Sequence, residues 1–183
     1  MRNYYTDKEQ KELLKSLVVL IDTREQANGH ILEYLDKKKI KHKNKKLDYG
    51  DYSFFLPPNQ ELGIIKPLYF DDEIVIERKG SLTELSGNLT KDRERFEKEL
   101  IRKQEAKFYL MIENGSWEMI DQQKYRTEYR PASFKATLLS YMARYDINII
   151  FRHKDCAGEF IHATFHYHLR EVLKRYSNSL IEK

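Results

Sequence analysis

Thiol chemistry in this sequence comes down to one residue, Cys156, so no intrachain disulfide can form and the fold has to rest on its apolar core. Long hydrophobic runs are missing as well. Nothing approaches the roughly 20 apolar residues that cross a bilayer, which removes the membrane as a solvent for the chain. Residues 1–11 are polar and lack the apolar centre of a secretion signal, so the expected setting is cytoplasmic. No internal repeat or low-complexity linker interrupts the pattern. The 183 residues are read as one domain over 1–183, large enough to bury roughly 70% of the surface its unfolded form exposes.

What is present is an uneven distribution of charge. The net value is only +4, yet residues 37–46 hold seven lysines and no acid. Such a run sets up a local positive field, to which phosphate backbones respond through counterion release. Taken alone, it reads better as a solvated edge strand whose lysines discourage sheet-to-sheet aggregation.

Leu13 and Leu14 mark a short amphipathic turn, followed at 17–21 by a continuous apolar run of the kind covered on both faces of a sheet. Behind Asn28, a candidate cap, Ile31, Leu32 and Leu35 follow helical spacing. Residues 47–56 read as two strand halves around a turn or bulge at Gly50, and Pro57 begins a loop of about a dozen residues. A strand is expected at 73–78. Ser81 then caps a short helix, and Thr90 or Asp92 a longer one with Phe96, Leu100 and Ile101 inward. Another strand, 107–113, ends on an acid. Pro131 suits the first turn of a helix through Phe134, Leu138, Leu139 and Met142, and a strand follows at 147–151. The last helix, 156–176, carries Phe160, Ile161, Phe165, Leu169, Val172 and Leu173 as one stripe. Strands and helices alternate, which points to an α/β sandwich around a mixed sheet.

Four acids, Asp22, Asp51, Glu77 and Glu113, fall at expected strand ends or turns, where open α/β sheets gather function. Side chains alternate along a strand, so Glu77 and Lys79 project from one face and Arg78 from the other. Two carboxylates with a main-chain carbonyl can hold one Mg²⁺, and a neighbouring lysine can orient water or stabilise charge on a phosphate.

In order along the chain, LIDTRE (20–25), LDYGDYSF (47–54), IERKGSLTEL (76–85), KDRERF (91–96) and LMIENG (110–115) resemble the signatures of the xeroderma pigmentosum group F (XPF) nuclease family. That family is a branch of the PD-(D/E)xK superfamily of metal-dependent nucleases. The resemblance spans nearly the whole chain. It implies a restriction-endonuclease-like α/β core, with a mixed central β-sheet flanked by helices. It further implies a DNA endonuclease using Mg²⁺ or Mn²⁺ and acting on flap, fork or junction DNA in repair, recombination or replication. By position, Asp22, Asp51 and Glu77 match the family's metal-binding acids, and Lys79 the lysine near the attacking water. Arg24, Glu25, Arg78 and Glu113 match supporting residues, and Arg93 a phosphate contact on the following helix.

The chain departs from the family in two places. Thr83 stands where an acid is usual; either Glu84 beside it takes over, or that carboxylate is dispensable. No Gly-rich hairpin pair of the tandem helix-hairpin-helix kind follows the nuclease region. The chain therefore resembles the compact, stand-alone versions that phages carry, and a bacterial or phage-infected cell is the expected setting.

Within that resemblance the lysine run shifts toward DNA contact, with Lys41, Lys43, Lys45 and Lys46 as candidates. Tyr125, Arg126 and Arg130, interleaved with Tyr129 in a loop, suit base stacking and phosphate contact, and equally a dimer contact. The Phe-rich stripe of the last helix implies a homodimer through the C-terminal helices. His162 and His166, four apart with no Glu between them in the zinc-protease pattern, read as ordinary surface or interface histidines. Cys156 reads as a buried thiol and Trp117 as packing. The competing function is a non-catalytic DNA-binding or partner subunit retaining the nuclease fold. Against it stand Asp22, Asp51, Glu77 and Lys79, all kept together.

Overall fold

A computed structural model describes Arg2, residues 4–103 and residues 105–178. The apolar run near residue 20 becomes β1 (Val18–Ile21), buried throughout. It pairs in parallel with β2 (His42–Asn44) on one side and antiparallel with β3 (Tyr52–Leu56) on the other. β3 is antiparallel to β5 (Ile74–Lys79), after which β5, β6 (Lys107–Glu113) and β7 (Ile147–Arg152) all run parallel. A two-residue strand, β4 (Leu68–Tyr69), attaches to β3 and completes a seven-stranded mixed sheet of order β2-β1-β3-β5-β6-β7. Two antiparallel steps separate β1 from β5, so these strands point the same way. Their carboxyl ends, which carry Asp22 and Glu77 to Lys79, arrive at one edge of the sheet.

Helices cover both faces, as the α/β reading requires. On one face α1 (Asp7–Ser16), α2 (Gly29–Lys37) and α7 (Ala157–Asn178) bring Leu13, Ile31, Leu35, Ile161, Phe165 and Leu169 against Val19, Ile21, Phe54, Ile74 and Ile76. On the other, α3 (Leu82–Asn88), α4 (Arg93–Arg102), α5 (Trp117–Asp121) and α6 (Pro131–Tyr145) place Leu85, Phe96, Leu100, Ile120, Phe134 and Leu138 against Val75, Phe108, Leu110 and Ile112. Among the described residues no helix is long and apolar enough to cross a membrane.

Several expectations change. Ile101, Leu139 and Met142 are 63%, 53% and 37% exposed; Ile101 and Leu139 each follow a buried leucine by one residue, a step of about 100° around the helix. Cys156 is exposed, because it lies in the 3-10 turn Lys154–Cys156 ahead of α7. Ile161, Phe165, Leu169, Val172 and Leu173 are consumed by the monomer's own core, so the stripe on α7 is not left over for a partner. The loop after Pro57 is held down as well, by an Asn59–Ile64 bridge, by β4 and by the Tyr5 hydroxyl donating to the Leu62 carbonyl at 3.0 Å.

Candidate active site and its basic groove

Alternation along β5 sends its charged end two ways. Glu77 and Lys79 share a face with Val75 and look toward α4, whereas Arg78 shares a face with Ile74 and Ile76. All three are buried. Arg78 is clamped there: its Nε and Nη2 donate to Glu113 at 2.7 and 2.8 Å, and its Nη1 to Glu25 at 2.9 Å. His30 Nε2 lies 2.7 Å from the same Glu113 carboxylate. Burial works against the Glu113 charge, but Arg78 and His30 outweigh it and hold the carboxyl below its usual range. Arg78, Glu25 and Glu113, three of the residues expected in a supporting role, are thus brought together in one hydrogen-bonded group, with His30 added. It ties the ends of β5 and β6 to the segment entering α2.

On the α4 side, Lys79 Nζ donates to Glu77 Oε1 at 2.5 Å and lies 5.4 Å from the Phe96 ring centre. Asp51 reaches this place through a sharp turn. Gly50 has φ of +71°, and a Cβ there would come within 2.9 Å of the Val75 Cβ, so both backbone sign and space call for glycine. The Asp51 amide donates to the Ile76 carbonyl at 2.9 Å, and Asp51 Oδ2 accepts from the Arg78 amide at 2.8 Å, which fastens the acid beside Glu77. Burial pushes the Asp51 carboxyl up to about 7, against the pull of the Arg78 amide and with Glu25 adding to the rise. Burial, then the Asp51 charge, lifts Glu77 well above its ordinary value. For Lys79 burial opposes the charge, but Glu77 outweighs it and keeps the ammonium firmly protonated.

A third carboxylate joins them that sequence reading missed. Glu99 lies on α4 one turn beyond the buried Phe96, and its Oε1 accepts from the Gly50 amide at 2.8 Å. Its charge adds to the rise of both Asp51 and Glu77. The signal available in the sequence was its spacing of three from Phe96, which puts both on one helix face. Glu77, Lys79, Glu84, Arg95, Phe96 and Glu99 line a cleft of about 150 Å³. Glu84 borders it while its Oε2 accepts from the Gly80 amide at 2.9 Å, and its own amide is capped by Ser81 at 3.1 Å. Thr83, in the place of the usual acid, accepts from the Arg126 amide at 3.2 Å.

Asp22 behaves differently from the other acids, although a place in a metal shell was expected for it. Oδ1 accepts from the Arg24 amide and Nε at 2.8 and 2.7 Å; Oδ2 accepts from Arg24 Nη2 at 3.1 Å and the Leu47 amide at 2.6 Å. A carboxylate has about four lone-pair sites, and these bonds occupy them all. Burial opposes its charge, but the donors from Arg24 and Leu47 hold its carboxyl below the usual value. Asp22 therefore orients Arg24 and the approach to Gly50, and its amide donates to the Asp51 carbonyl at 2.7 Å.

Among the described residues no three His, Cys, Asp or Glu side chains form a ready metal cage. The donors present still suit a hard divalent ion. Mg²⁺ is usually held by one or two carboxylates, with waters and substrate oxygens filling the remainder. Asp51 and Glu77 resist ionising side by side, the condition that a divalent cation relieves.

Beside the cleft opens a groove of about 750 Å³ in which Arg24, Lys91, Arg93, Arg95, Lys98 and Arg102 outnumber Asp92 and Glu94. An adjoining hollow of about 540 Å³ shares Arg24 and Arg102 and adds Lys46. Arg93 pairs with Glu97 at 3.0 Å, leaving Arg95 and Arg102 as prominent cations that the motif reading did not single out. The lysine run is divided by strand direction. The Lys41 carbonyl accepts from Val19 at the start of β1, while the Lys45 amide donates to Ile21 at its end, so Lys41 and Lys46 lie at opposite ends of the sheet. Lys43 is exposed on the edge strand, and Lys45 is paired with Asp71 above the Tyr69 ring. Of these four lysines, Lys46 alone among the described residues lines the hollow that adjoins the groove. Tyr125 is buried edge-on against Phe134, 5.1 Å between ring centres, and is not open to a base; Arg126 and Arg130 are exposed.

A family model described as ERCC4 domain matches residues 21–179. Among solved structures, XPF from Aeropyrum pernix is similar with a TM-score of 0.59 at 19% identity, covering 82% of this chain and 61% of that one. XPF from Aeropyrum pernix in complex with DNA gives a TM-score of 0.60 at 16% identity, covering 84% of this chain and 66% of that one. The chain thus spans less than two thirds of the length of either. No curated protein matches its sequence.

Proposed function

The chain belongs to the ERCC4 domain family, and from that premise we propose that it is a metal-dependent endonuclease that hydrolyses DNA phosphodiesters at branched, flapped or junction structures. One observation carries the reading: Glu77 and Lys79, with Asp51 fastened beside them through the Arg78 amide, face a cleft that opens beside a groove rich in arginine and lysine. An acid pair beside strong cations is the arrangement that a phosphodiester calls for, since its charge has to be approached and then increased.

Asp51 and Glu77 would hold Mg²⁺ or Mn²⁺, with Glu99 close by. When bound there, the ion neutralises charge on the phosphate and makes water more acidic. Arg95, Arg102 and Lys46 draw the strand along the groove. Lys79, kept protonated by Glu77, donates to the attacking water or to the phosphate oxygens as negative charge grows. Water adds to phosphorus, the bond to the 3′ oxygen breaks, and the products carry a 5′-phosphate and a 3′-hydroxyl. Self-association belongs to the same reading. With the α7 stripe buried, the exposed large apolar side chains that α6 and α7 offer it, among the described residues, are Leu139, Met142 and Tyr167.

The test is cleavage of labelled flap, four-way-junction, single-stranded and duplex DNA with Mg²⁺, Mn²⁺ or EDTA, beside Glu77→Gln. Metal-dependent cutting that favours branched DNA and vanishes in the variant is expected. Binding without cutting in every condition would replace the enzyme with a non-catalytic DNA-binding subunit.

A further inference from the structure

The lysines at the other end of β1 take no part in the cleft or the groove. Lys11 and Lys15 of α1, Lys38, Lys39 and Lys41 after α2, and His162 and His166 of α7 surround a hollow of about 440 Å³. Leu14, Leu17 and Ile40 also line it, and among the described residues no aspartate or glutamate does. Among the described residues none of these five lysines is paired with a carboxylate. The length of β1, about 3.3 Å per residue, separates the hollow from the acids.

Lys39 gives the sharpest signal. α2 ends with the Ile40 amide donating to the Leu35 carbonyl at 2.8 Å and the Lys39 amide to Asp36 at 2.9 Å. This double closure puts Lys39 at φ of +56°, a position where glycine is the usual residue because a side chain strains the backbone. A lysine held in that conformation, beside four other unpaired ammonium groups, is doubly unfavourable for the chain by itself. A bound anion offsets the electrostatic part.

The histidines fit the same ligand. Their ring centres are 5.9 Å apart, and burial keeps both below the usual imidazole value, so they enter as neutral N–H donors or flat ring faces. No third His, Cys, Asp or Glu joins them among the described residues, which leaves no zinc shell.

We propose that this hollow binds nucleotide phosphates, with the lysines and imidazoles taking the phosphate groups and Leu14, Leu17 and Ile40 the sugar or base. The ligand is either a free nucleotide or a stretch of DNA strand remote from the cleft, and the site stands whether or not the cleft cuts DNA. The probes are dATP and a fluorescein-labelled single-stranded oligonucleotide, titrated into the full chain in EDTA. They are compared across wild type, Lys39→Gly, and the triple variant Lys15→Gln, Lys39→Gly, Lys41→Gln. The triple variant should weaken at least one probe by about tenfold or more. Loss on dATP identifies a free nucleotide. Loss confined to the oligonucleotide, with a salt slope lowered by about 2, identifies a DNA strand. Lys39→Gly alone should melt no lower than wild type yet bind the same probe about threefold more weakly, which separates binding from folding. Less than about a tenfold change in both probes, or a Lys39→Gly that binds like wild type, overturns the site. Neither result bears on the cleavage test at Glu77.

Discussion

Replacing Asp51 by asparagine sets stability against activity. The variant keeps the shape of the side chain and an acceptor for the Arg78 amide at 2.8 Å, and removes only the charge. Burial lifts this carboxyl from its ordinary 3.8 to about 7. An acid whose pKa rises on folding binds more protons folded than unfolded. Its contribution to stability is therefore lost as pH climbs from about 4 to about 7 and stays lost above. At full strength the rise is worth about 4 kcal/mol; because Asp51 keeps some contact with water and titrates beside Glu77, about 2 kcal/mol is the figure to expect. In urea denaturation with EDTA, Asp51→Asn should match wild type near pH 4 and exceed it by about 2 kcal/mol near pH 8. Mg²⁺ should then reverse the order, stabilising wild type by about 2.7 kcal/mol at one hundred times its dissociation constant and the variant hardly at all. A gap that did not change with pH, or a variant less stable near pH 8, would refute the account of a strained acid pair.

Other perturbations probe separate parts of the site. Arg78→Met leaves Glu25 and Glu113 buried without their cation and should cost about 3–5 kcal/mol in urea denaturation, whether or not DNA is cut. Gly50→Ala forces a β-carbon against Val75 at positive φ, so a loss of about 1–3 kcal/mol is expected in the same assay, with weaker cleavage because Asp51 moves. Glu99→Gln should lower the pH above which cleavage rises, since one of the charges holding Asp51 and Glu77 protonated is gone; an unchanged profile would remove Glu99 from the site. Arg95→Gln with Arg102→Gln should reduce the salt slope of duplex binding by about 2, whereas an unaltered slope would place the DNA elsewhere.

The carboxyl ends of β1 and β5 were legible in the sequence because a strand's alternation is local: Glu77 and Lys79 had to share a face whatever the rest of the chain did. The ring of support around Arg78 was legible only in part. Glu25 and Glu113 lie inside recognisable motifs, but His30 enters through a contact across the fold, and nothing near residue 30 announces it. Glu99 was hidden for the same reason, since its nearness to Gly50 depends on how α4 crosses the sheet. Composition marked residues 37–46 as a single basic run, yet a strand has two ends, and the chain delivers Lys41 and Lys46 to opposite sides of the molecule. Asp22 shows the converse limit. Its position just after β1 was legible, and only the hydrogen bonds reveal that its lone pairs are occupied.

The clamp on Arg78 also bears on when the cleft comes into being. The guanidinium is held by Glu113 and Glu25, 35 and 53 positions away in sequence, and a contact 83 positions long, from His30, braces Glu113 itself. A chain emerging from the ribosome has Asp51, Glu77 and Lys79 well before it has β6. Until β6 docks, the arginine that anchors Asp51 through its own amide lacks its principal carboxylate. Assembly of the acids is thus coupled to the docking of β6, and a chain that ends before residue 113 lacks the carboxylate that receives Arg78 Nε and Nη2.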